Sequence, residues 1–479
     1  METLKEKTAK GLAWGAIANG GMQVLNLAIG IVLGRLLLPS DYGIVGVLSI
    51  FIVLAPVLSG SGFSNALINS KPTANDYNSV FWFNVTVSIV CYVVLFFCAP
   101  LIARFFNQPV LVPLSRLLFL GFVISASGMA YSAYLVKNMM NREMAIISLT
   151  ALTVSGCVGI VLAKLEQGAW SLAWQQLTYI AMIMAGRLWY VPWHPVLRFD
   201  AAPIRRMFRF SFNLLLTSVA STISQQLLTV VFGRLFAANA VGNYTQANKW
   251  SNMGSQFVSG NLQQIVQPVL VSVRDEQSRE QQVFRKMLRF TSFLSFPCLF
   301  GLAIVSREFI LVSIGEKWTD SIPLLQIICV GAAFLPFYAL YQNLAISHGK
   351  SNVYLWLTIG QIACQLAVVF LFHRYGLHVM VMAFTALSIL WLGVCHGFTH
   401  RLIGLRLIDV LKDVVPFLLI TLMVMAVTYM ATSFLQSLWA LLLSRILVAA
   451  VLYYVVMQVL HVTIFRECMQ FVKKALHLG

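Results

Sequence analysis

Long apolar runs separated by short polar stretches make up most of this 479-residue chain. A run of about 20 apolar residues is the length that an α-helix needs to cross the hydrocarbon core of a membrane. The runs are continuous and do not alternate as β-barrel strands do. The pattern therefore predicts an all-α polytopic membrane protein with about 14 transmembrane helices. The predicted spans are 11–34, 43–68, 79–103, 112–136, 143–163, 169–190, 210–233, 241–267, 288–313, 322–346, 352–372, 378–400, 411–434 and 439–464.

The distribution of charged residues predicts how these spans are oriented in the membrane. Only 10% of the residues are charged, against about 25% in a soluble domain. The net charge of +17 reflects basic cytoplasmic loops rather than a nucleic-acid partner. With the N-terminus inside, 23 of the 33 Lys and Arg residues fall in inner loops and tails, and only eight fall at the outer side. The sequence thus predicts a multi-pass chain with both termini in the cytoplasm.

A short motif occurs twice. Four of its residues recur 199 positions later, with Gly34, Arg35, Leu36 and Gly43 matched by Gly233, Arg234, Leu235 and Gly242. Further matches at offsets of 210 and 208 extend the similarity to later spans. Six helices per copy is an even number, so the copies are predicted to be parallel repeats related by an axis along the membrane normal. The predicted organisation is an N-lobe (1–190), a basic cytoplasmic linker (191–209), a C-lobe (210–403) and a last segment (404–479) with two helices and a cytoplasmic tail.

Polar residues inside span 8 are the first candidates for a binding site. A charge in the hydrocarbon costs roughly 2.5–3.5 kcal/mol and usually faces a cavity or a partner. Lys249 is the clearest case, and Gln246 and Asn252 share its helix face at a spacing of three residues. Asn243 lies at the outer start of the same run. These residues either line a hydrated cavity, where Lys249 attracts a diphosphate or an acidic sugar, or form polar pairs that hold helices together.

The helices that begin the two repeats carry amides. Span 1 contains Gln23 and Asn26, and span 7 contains Gln225 and Gln226. An amide donates and accepts hydrogen bonds, which suits sugar hydroxyls, but the same groups also join helices. We expect these residues to line a cavity.

Several arginines lie near the outer helix ends. Arg35 and Arg234 occupy matching positions after spans 1 and 7, and Arg116 lies one turn into span 4. They are interpreted either as headgroup anchors or as an outer gate that meets a diphosphate. Arg445, about two turns from the outer end of span 14, is expected to snorkel to the interface and to have a structural role.

Other chemistries find little support in the sequence. The triplet 349–351 resembles the end of a phosphate-binding loop, but Leu344 replaces its first glycine. His396 and His400 share a helix face without an acidic partner, and the eight cysteines are scattered. No Asp or Glu lies well inside a span, with Glu308 at an edge, which disfavours cation coupling. We therefore expect no nucleotide, no metal and no cofactor.

The motifs resemble those of a known family. Gly-Arg-Leu-Leu-Leu-Pro-Ser-Asp-Tyr-Gly at 34–43 and Gly-Ala-Trp-Ser-Leu at 168–172, with 14 predicted helices, are similar to the Wzx-type polysaccharide-transport flippases of the multidrug/oligosaccharidyl-lipid/polysaccharide superfamily. The resemblance implies two lobes around a V-shaped central cavity. It also implies a transporter of the bacterial inner membrane that flips undecaprenyl-diphosphate-linked oligosaccharides to the outer leaflet, for O-antigen, capsule or exopolysaccharide. Its implied partners are this lipid-linked substrate, membrane lipids and a glycan polymerase.

Two other functions are alternatives to the flippase. A multidrug or small-solute antiporter on the same scaffold predicts a buried carboxylate, which the sequence does not reveal. A membrane enzyme such as a glycan polymerase would need a sizeable outer loop, and the predicted outer loops have only a few residues. The sequence therefore favours a transporter and not an enzyme.

Overall fold

Helices make up nearly all of the computed structural model, which describes residues 4–69, 72–274 and 276–475 and contains no β-strand within them. Two short 3₁₀ helices, Glu316–Trp318 and His373–Tyr375, complete the regular structure there. The α-helices are α1 (Leu4–Leu36), α2 (Pro39–Val47), α3 (Ser49–Asn69), α4 (Ala74–Phe106), α5 (Leu111–Ser127), α6 (Met129–Lys137), α7 (Asn141–Lys164), α8 (Ala169–Tyr190), α9 (Ala201–Leu235), α10 (Ala238–Val273), α11 (Gln277–Ile304), α12 (Ser306–Ser313), α13 (Ser321–Ala332), α14 (Leu335–Ser347), α15 (Ser351–Phe372), α16 (Leu377–Ile403), α17 (Leu407–Thr432), α18 (Leu438–Val459) and α19 (Thr463–Ala475).

Each predicted span coincides with one helix or with two consecutive helices, which confirms the all-α prediction. In the described part of the chain, nine helical segments are long and apolar enough to cross a membrane, and the bent pair α5–α6 would make ten. The helices α1, α9 and α10 are not among them, and these three carry all eight predicted cavity residues. A count of 14 crossings therefore stays a prediction.

The break between α5 and α6 shows how a bent span keeps its polar backbone satisfied. The two helices meet at Gly128 with a bend of 41°. Such a break frees backbone groups, which must find other partners when they are buried. The Gly128 carbonyl oxygen keeps its helical partner, the Ser132 backbone N–H at 3.0 Å, and Arg187 of α8 adds a second hydrogen bond to it from Nη1, also at 3.0 Å.

The helices group into two compact units, residues 1–245 and 246–479. In the first unit, α7 packs on α8 and α1, α4 packs on α5, and α9 packs on α3 and α4. Its core contains Leu67, Tyr77, Val80 and Tyr131. The predicted division into lobes at the linker 191–209 stays a prediction, and α9 already begins within that stretch.

The second unit is built around α11. This helix packs on α17 and α13, while α16 contacts α13 and α15, and α18 lies against α17. Aromatic stacking fixes the packing of α11 on α14, since the ring of Phe296 stacks on Phe337 with centroids 5.8 Å apart. The last helix, α19, contacts both α11 and α18.

Candidate functional site

The polar residues of α10 fall into two groups by exposure. Asn243 and Gln246 are almost completely buried, at 1% and 0% exposure. Asn243 donates from Nδ2 to the side-chain oxygen of Asn239 one turn earlier, at 2.8 Å. Lys249 and Asn252 are partly exposed. Of these four residues, only Lys249 and Asn252 are accessible at the surface of the helix in this conformation.

An aromatic ring accompanies Lys249. The Lys249 ammonium lies 5.4 Å from the ring centroid of Trp250, within the range of a cation–π contact. Trp250 is 2% exposed, and its ring meets Phe309 edge-on at 5.2 Å. Because Trp250 is held by this packing, it limits where the lysine side chain can lie.

The amides of α9 make contacts that join helices or stay within one helix. Gln226 Oε1 accepts a hydrogen bond from the Ser49 hydroxyl of α3 at 2.9 Å. Gln225 is exposed, and its Nε2 lies 3.4 Å from the Ser221 hydroxyl one turn earlier. The Gln226 contact favours the helix-joining alternative for that residue, whereas Gln225 stays open to a ligand.

On α1, Gln23 and Asn26 are both partly exposed. They lie one turn apart on the same helix. Their role as cavity residues, like that of the α9 and α10 residues, stays a prediction.

Two of the three predicted outer arginines rest on phenylalanines of α4. The Arg116 guanidinium stacks 4.2 Å from the Phe96 ring centroid, and its Nε donates to the Phe96 carbonyl at 3.4 Å. The Arg234 guanidinium lies 5.6 Å from the Phe105 ring centroid. Arg35, like Arg234, is exposed. These contacts fit an anchor as well as a gate, so both interpretations stay open.

The duplicated glycine motif forms a close contact between its two copies. A Cβ on Gly43 would overlap the Ala238 carbonyl oxygen, and a Cβ on Gly242 would overlap the Pro39 carbonyl oxygen. The two contacts are equivalent at the 199-residue offset, because Pro39 matches Ala238 and Gly43 matches Gly242. Such reciprocity is what a twofold axis between two like surfaces produces.

A third contact lies where that axis would pass. A Cβ on Gly46 would lie 2.6 Å from the Thr245 hydroxyl oxygen, and Thr245 is the residue that matches Gly46 at the same offset. A position that touches its own counterpart lies on a twofold axis. The first turns of α2 and α10 thus approach through backbone at Gly43 and Gly242, where a side chain does not fit, whereas at Gly46 the Thr245 side chain occupies the space.

The structure corrects the expectation for Arg445. Its side chain does not snorkel, because only 7% of it is exposed and it forms an ion pair at 2.8 Å with Glu308, which is 2% exposed. Arg445 also donates to the Ile304 carbonyl at 3.2 Å and to the Thr432 hydroxyl at 3.3 Å. The pair therefore joins α18 to α12, α11 and α17. Sequence reasoning missed it because Glu308 lies 137 residues away and at a span edge.

Buried carboxylates are more common than the sequence indicated. Besides Glu308, Asp413 of α17 is buried and accepts a hydrogen bond from Arg285 Nε of α11 at 2.6 Å. Glu280 is 1% exposed and lies 2.8 Å from His348 Nε2. Each of these three carboxylates has a basic partner. That no Asp or Glu lies deep inside a span stays a prediction, because burial against other helices does not report depth in the membrane.

Metal ligation has no obvious place in the described residues. No three or more His, Cys, Asp and Glu side chains gather there as a metal-binding set would. The pair His396 and His400 illustrates this, since His400 Nδ1 is already hydrogen-bonded to the Leu405 carbonyl oxygen at 3.0 Å.

Comparisons with known proteins identify the family. A family model described as "Polysaccharide biosynthesis protein" matches residues 32–323, which is more than half of the chain. The lipopolysaccharide biosynthesis protein WzxC of Escherichia coli (strain K12) is 28% identical over 68% of this chain and 67% of its own. The succinoglycan biosynthesis transport protein ExoT of Rhizobium meliloti (strain 1021) is 24% identical over 74% and 72%.

Solved structures share the fold. A lipid II flippase MurJ in an inward closed conformation superposes with a TM-score of 0.75 at 14% identity, over 95% of this chain and 99% of that one. An inward-facing multidrug resistance MATE family transporter of the MOP superfamily superposes with a TM-score of 0.66 at 18% identity, over 80% and 94%. The chain belongs to the polysaccharide biosynthesis protein family, and its resemblance to the polysaccharide-transport flippases of that superfamily is confirmed.

Proposed function

We propose that this chain flips undecaprenyl-diphosphate-linked oligosaccharide repeat units from the inner to the outer leaflet of the bacterial inner membrane, as a transporter and not an enzyme. The substrate class is supported by the names of its sequence relatives, which include a lipopolysaccharide biosynthesis protein and a succinoglycan transport protein, and the chain shares its fold with a lipid II flippase. The product would serve the assembly of a surface polysaccharide.

The reciprocal contact between the glycine segments carries this proposal. A flippase must open its path on one side of the membrane while the other side is closed. A contact made mainly by backbone, with matching residues from the two predicted repeats, closes tightly with little rearrangement of side chains. The charge count predicts that these helix starts lie at the outer side, so the contact would be the outer seal of an inward-open or closed state.

Lys249 is the proposed contact for the diphosphate. Its position on α10 is within a helix that begins at the glycine contact, so a movement that separates the glycine segments would also move the lysine. An ammonium attracts a diphosphate, and the partly exposed Asn252 and Gln225 can hydrogen-bond to sugar hydroxyls. The polyprenyl tail would stay in the lipid.

Deleting the gene in its native host tests the function. Lipid-linked repeat units should accumulate in the inner leaflet and surface polysaccharide should be lost, with both restored by the wild-type gene. If the repeat units are still exported while the deletion strain becomes sensitive to cationic drugs, the small-solute antiporter is the better assignment. Normal export with unchanged drug sensitivity would also overturn the proposal.

Complementation with Lys249→Gln tests the proposed contact. Loss of a charge-assisted contact is worth about 1.5–3 kcal/mol, so export should fall by roughly one to two orders of magnitude at limiting substrate. Lys249→Arg should keep much of the activity. Lys164→Gln, an exposed lysine at the end of α7, is the matched control and should export normally. Full export by Lys249→Gln at equal protein levels would remove Lys249 from the substrate path.

A further inference from the structure

The segment 191–200 between α8 and α9, here called the α8–α9 loop, is held firmly against α4. The Asn78 side-chain amide donates to the Arg198 carbonyl oxygen, and its Oδ1 accepts from the Val196 backbone N–H at 2.8 Å. The Trp82 indole N–H donates to the Val196 carbonyl at 2.7 Å. These bonds use backbone groups of the loop, so they fix its path whatever its side chains are.

The end of the loop is fixed as well. The backbone N–H of Asp200 donates to the Ser79 hydroxyl at 3.3 Å. The Asp200 carboxylate caps α9 by accepting from the Ala202 backbone N–H at 2.9 Å, and it also accepts from the Asn75 amide at 2.9 Å. The Ala202 bond and then the Asn75 bond hold the pKa of Asp200 below its ordinary value. A charged cap therefore ties the loop to both α4 and α9.

Three apolar side chains of this fixed loop point outward. Leu197 is 89% exposed, Val196 is 67% exposed and Phe199 is 56% exposed. Trp193, in contrast, turns inward and packs its ring 5.2 Å from that of Tyr131. Because the backbone of the loop is anchored, the outward side chains cannot be buried by folding the loop back, and they need an apolar environment outside the protein.

The position of the loop along α4 places these side chains close to the membrane lipid. Trp82 lies eight residues after the first residue of α4, which is about 12 Å along a helix with a rise of 1.5 Å per residue. The 33-residue α4 is about 50 Å long, so it extends roughly 10 Å beyond a 30 Å hydrocarbon core at each end. Val196, whose carbonyl accepts a hydrogen bond from the Trp82 indole, therefore lies near the boundary between the headgroups and the hydrocarbon core of the membrane. Tryptophan is enriched at this level.

A groove lies between this loop and α4. It has a volume of about 420 Å³ and is lined by Trp82, Phe83, Thr86 and the loop residues 197–199. Arg198 is the one charged residue of that lining, and it is exposed. The groove thus places a cation beside an apolar surface at the membrane interface, which matches the layout of a phospholipid with a phosphate and an acyl chain.

We propose that this groove binds an anionic phospholipid of the leaflet in which α4 begins, which the charge distribution predicts to be the cytoplasmic one. Arg198 would contact the headgroup phosphate, and one acyl chain would lie along Leu197, Phe199 and Trp82. The occupant is a lipid rather than a protein because the groove opens at the level where lipid surrounds α4. The site is separate from the predicted substrate path and does not rest on the proposed function.

Lipid retention by the purified full-length chain tests this site. The protein is extracted from nanodiscs that contain equal amounts of phosphatidylglycerol and phosphatidylethanolamine, and bound lipids are counted by native mass spectrometry. We expect phosphatidylglycerol to be retained preferentially. A cation near the membrane surface is worth about 1 kcal/mol, so Arg198→Gln should lower phosphatidylglycerol retention about fivefold.

The matched control is Arg205→Gln, because Arg205 is also exposed but lies outside the groove lining. It should retain lipid as the wild type does. An equal loss in both variants would mean diffuse charge attraction and would overturn the site. Equal retention of the two lipids by the wild type would overturn the anionic preference.

A second variant tests the apolar part of the groove. Leu197→Ser combined with Phe199→Ser leaves the backbone bonds to Asn78 and Trp82 in place, so the melting temperature in detergent should stay unchanged. Retention of phosphatidylglycerol should fall severalfold. Unchanged retention would remove the acyl chain from this groove. A cross-link from residue 197 to a protein, and none to lipid, would mean that the surface binds a partner protein instead.

Discussion

Replacing Gly242 with alanine tests the contact between the two glycine segments. In the structure, a Cβ on Gly242 would overlap the Pro39 carbonyl oxygen and would lie 3.1 Å from the Gly43 backbone nitrogen. Neither atom belongs to a flexible side chain that could turn away. The first turns of α2 and α10 must therefore move apart to admit a single methyl group.

The size of the effect follows from this overlap. Forcing an extra methyl group into a tight contact costs about 1–3 kcal/mol. The higher helix propensity of alanine does not offset this cost, because α10 would be helical whether or not the segments touch. A cost of 1–3 kcal/mol shifts the equilibrium between closed and separated segments by about 5- to 150-fold.

Labelling of a single cysteine measures that shift. In a chain whose eight native cysteines are replaced, Thr245→Cys places a thiol beside Gly46, at a position that is only partly exposed while the segments touch. A membrane-impermeant maleimide added from outside should label it slowly in the parent chain and much faster after Gly242→Ala. The control is Gly260→Ala on the same helix, because no heavy atom lies within 4 Å of a Cβ at Gly260.

Gly260→Ala should leave the labelling rate unchanged. If Gly242→Ala also leaves it unchanged while the protein remains folded, the glycine segments do not form a seal. Fast labelling of the parent chain itself would lead to the same conclusion, because it would mean that the segments are separated most of the time.

The remaining predictions concern stability. Arg445→Met should destabilise the purified protein by about 3–5 kcal/mol in a thermal unfolding assay, because Glu308 stays buried without its partner. Adding Glu308→Gln should recover part of the loss. Equal stability of the wild type, the single variant and the double variant would mean that the pair contributes nothing. Asp413→Asn should cost about 1.5–3 kcal/mol because it removes the charge that binds Arg285, whereas Asp409→Asn one turn earlier should cost far less. The same assay would contradict this account if the two variants melted alike.

The sequence predicted which stretches are helical because apolar length and periodicity are local properties. The repeated glycines could also be found, since identical residues at a constant offset require no knowledge of contacts. What the sequence could not provide is that Gly43 lies against Ala238 while Gly242 lies against Pro39. That fact depends on packing, and no periodicity encodes it.

Ion pairs are a second kind of contact that could not be predicted from the sequence. Arg445 was recognised as unusual, but its partner Glu308 lies at the edge of a different span and nothing local connects the two. Gln246 and Lys249 shared a predicted face, yet one is fully buried and the other is partly exposed. A spacing of three residues advances 300° around a helix, so such residues diverge by 60° at each step, and packing decides which of them is covered.

Transport by the purified protein tests the central claim most directly. Proteoliposomes would carry an undecaprenyl-diphosphate-linked oligosaccharide in the inner leaflet only, and a membrane-impermeant lectin or glycosidase outside would detect its arrival in the outer leaflet. The account predicts that wild-type protein speeds this arrival well above that in protein-free vesicles, and that Gly242→Ala alters the rate while Gly260→Ala does not. Arrival no faster than in protein-free vesicles, with folded protein in the membrane and any tested ion gradient applied, would contradict it.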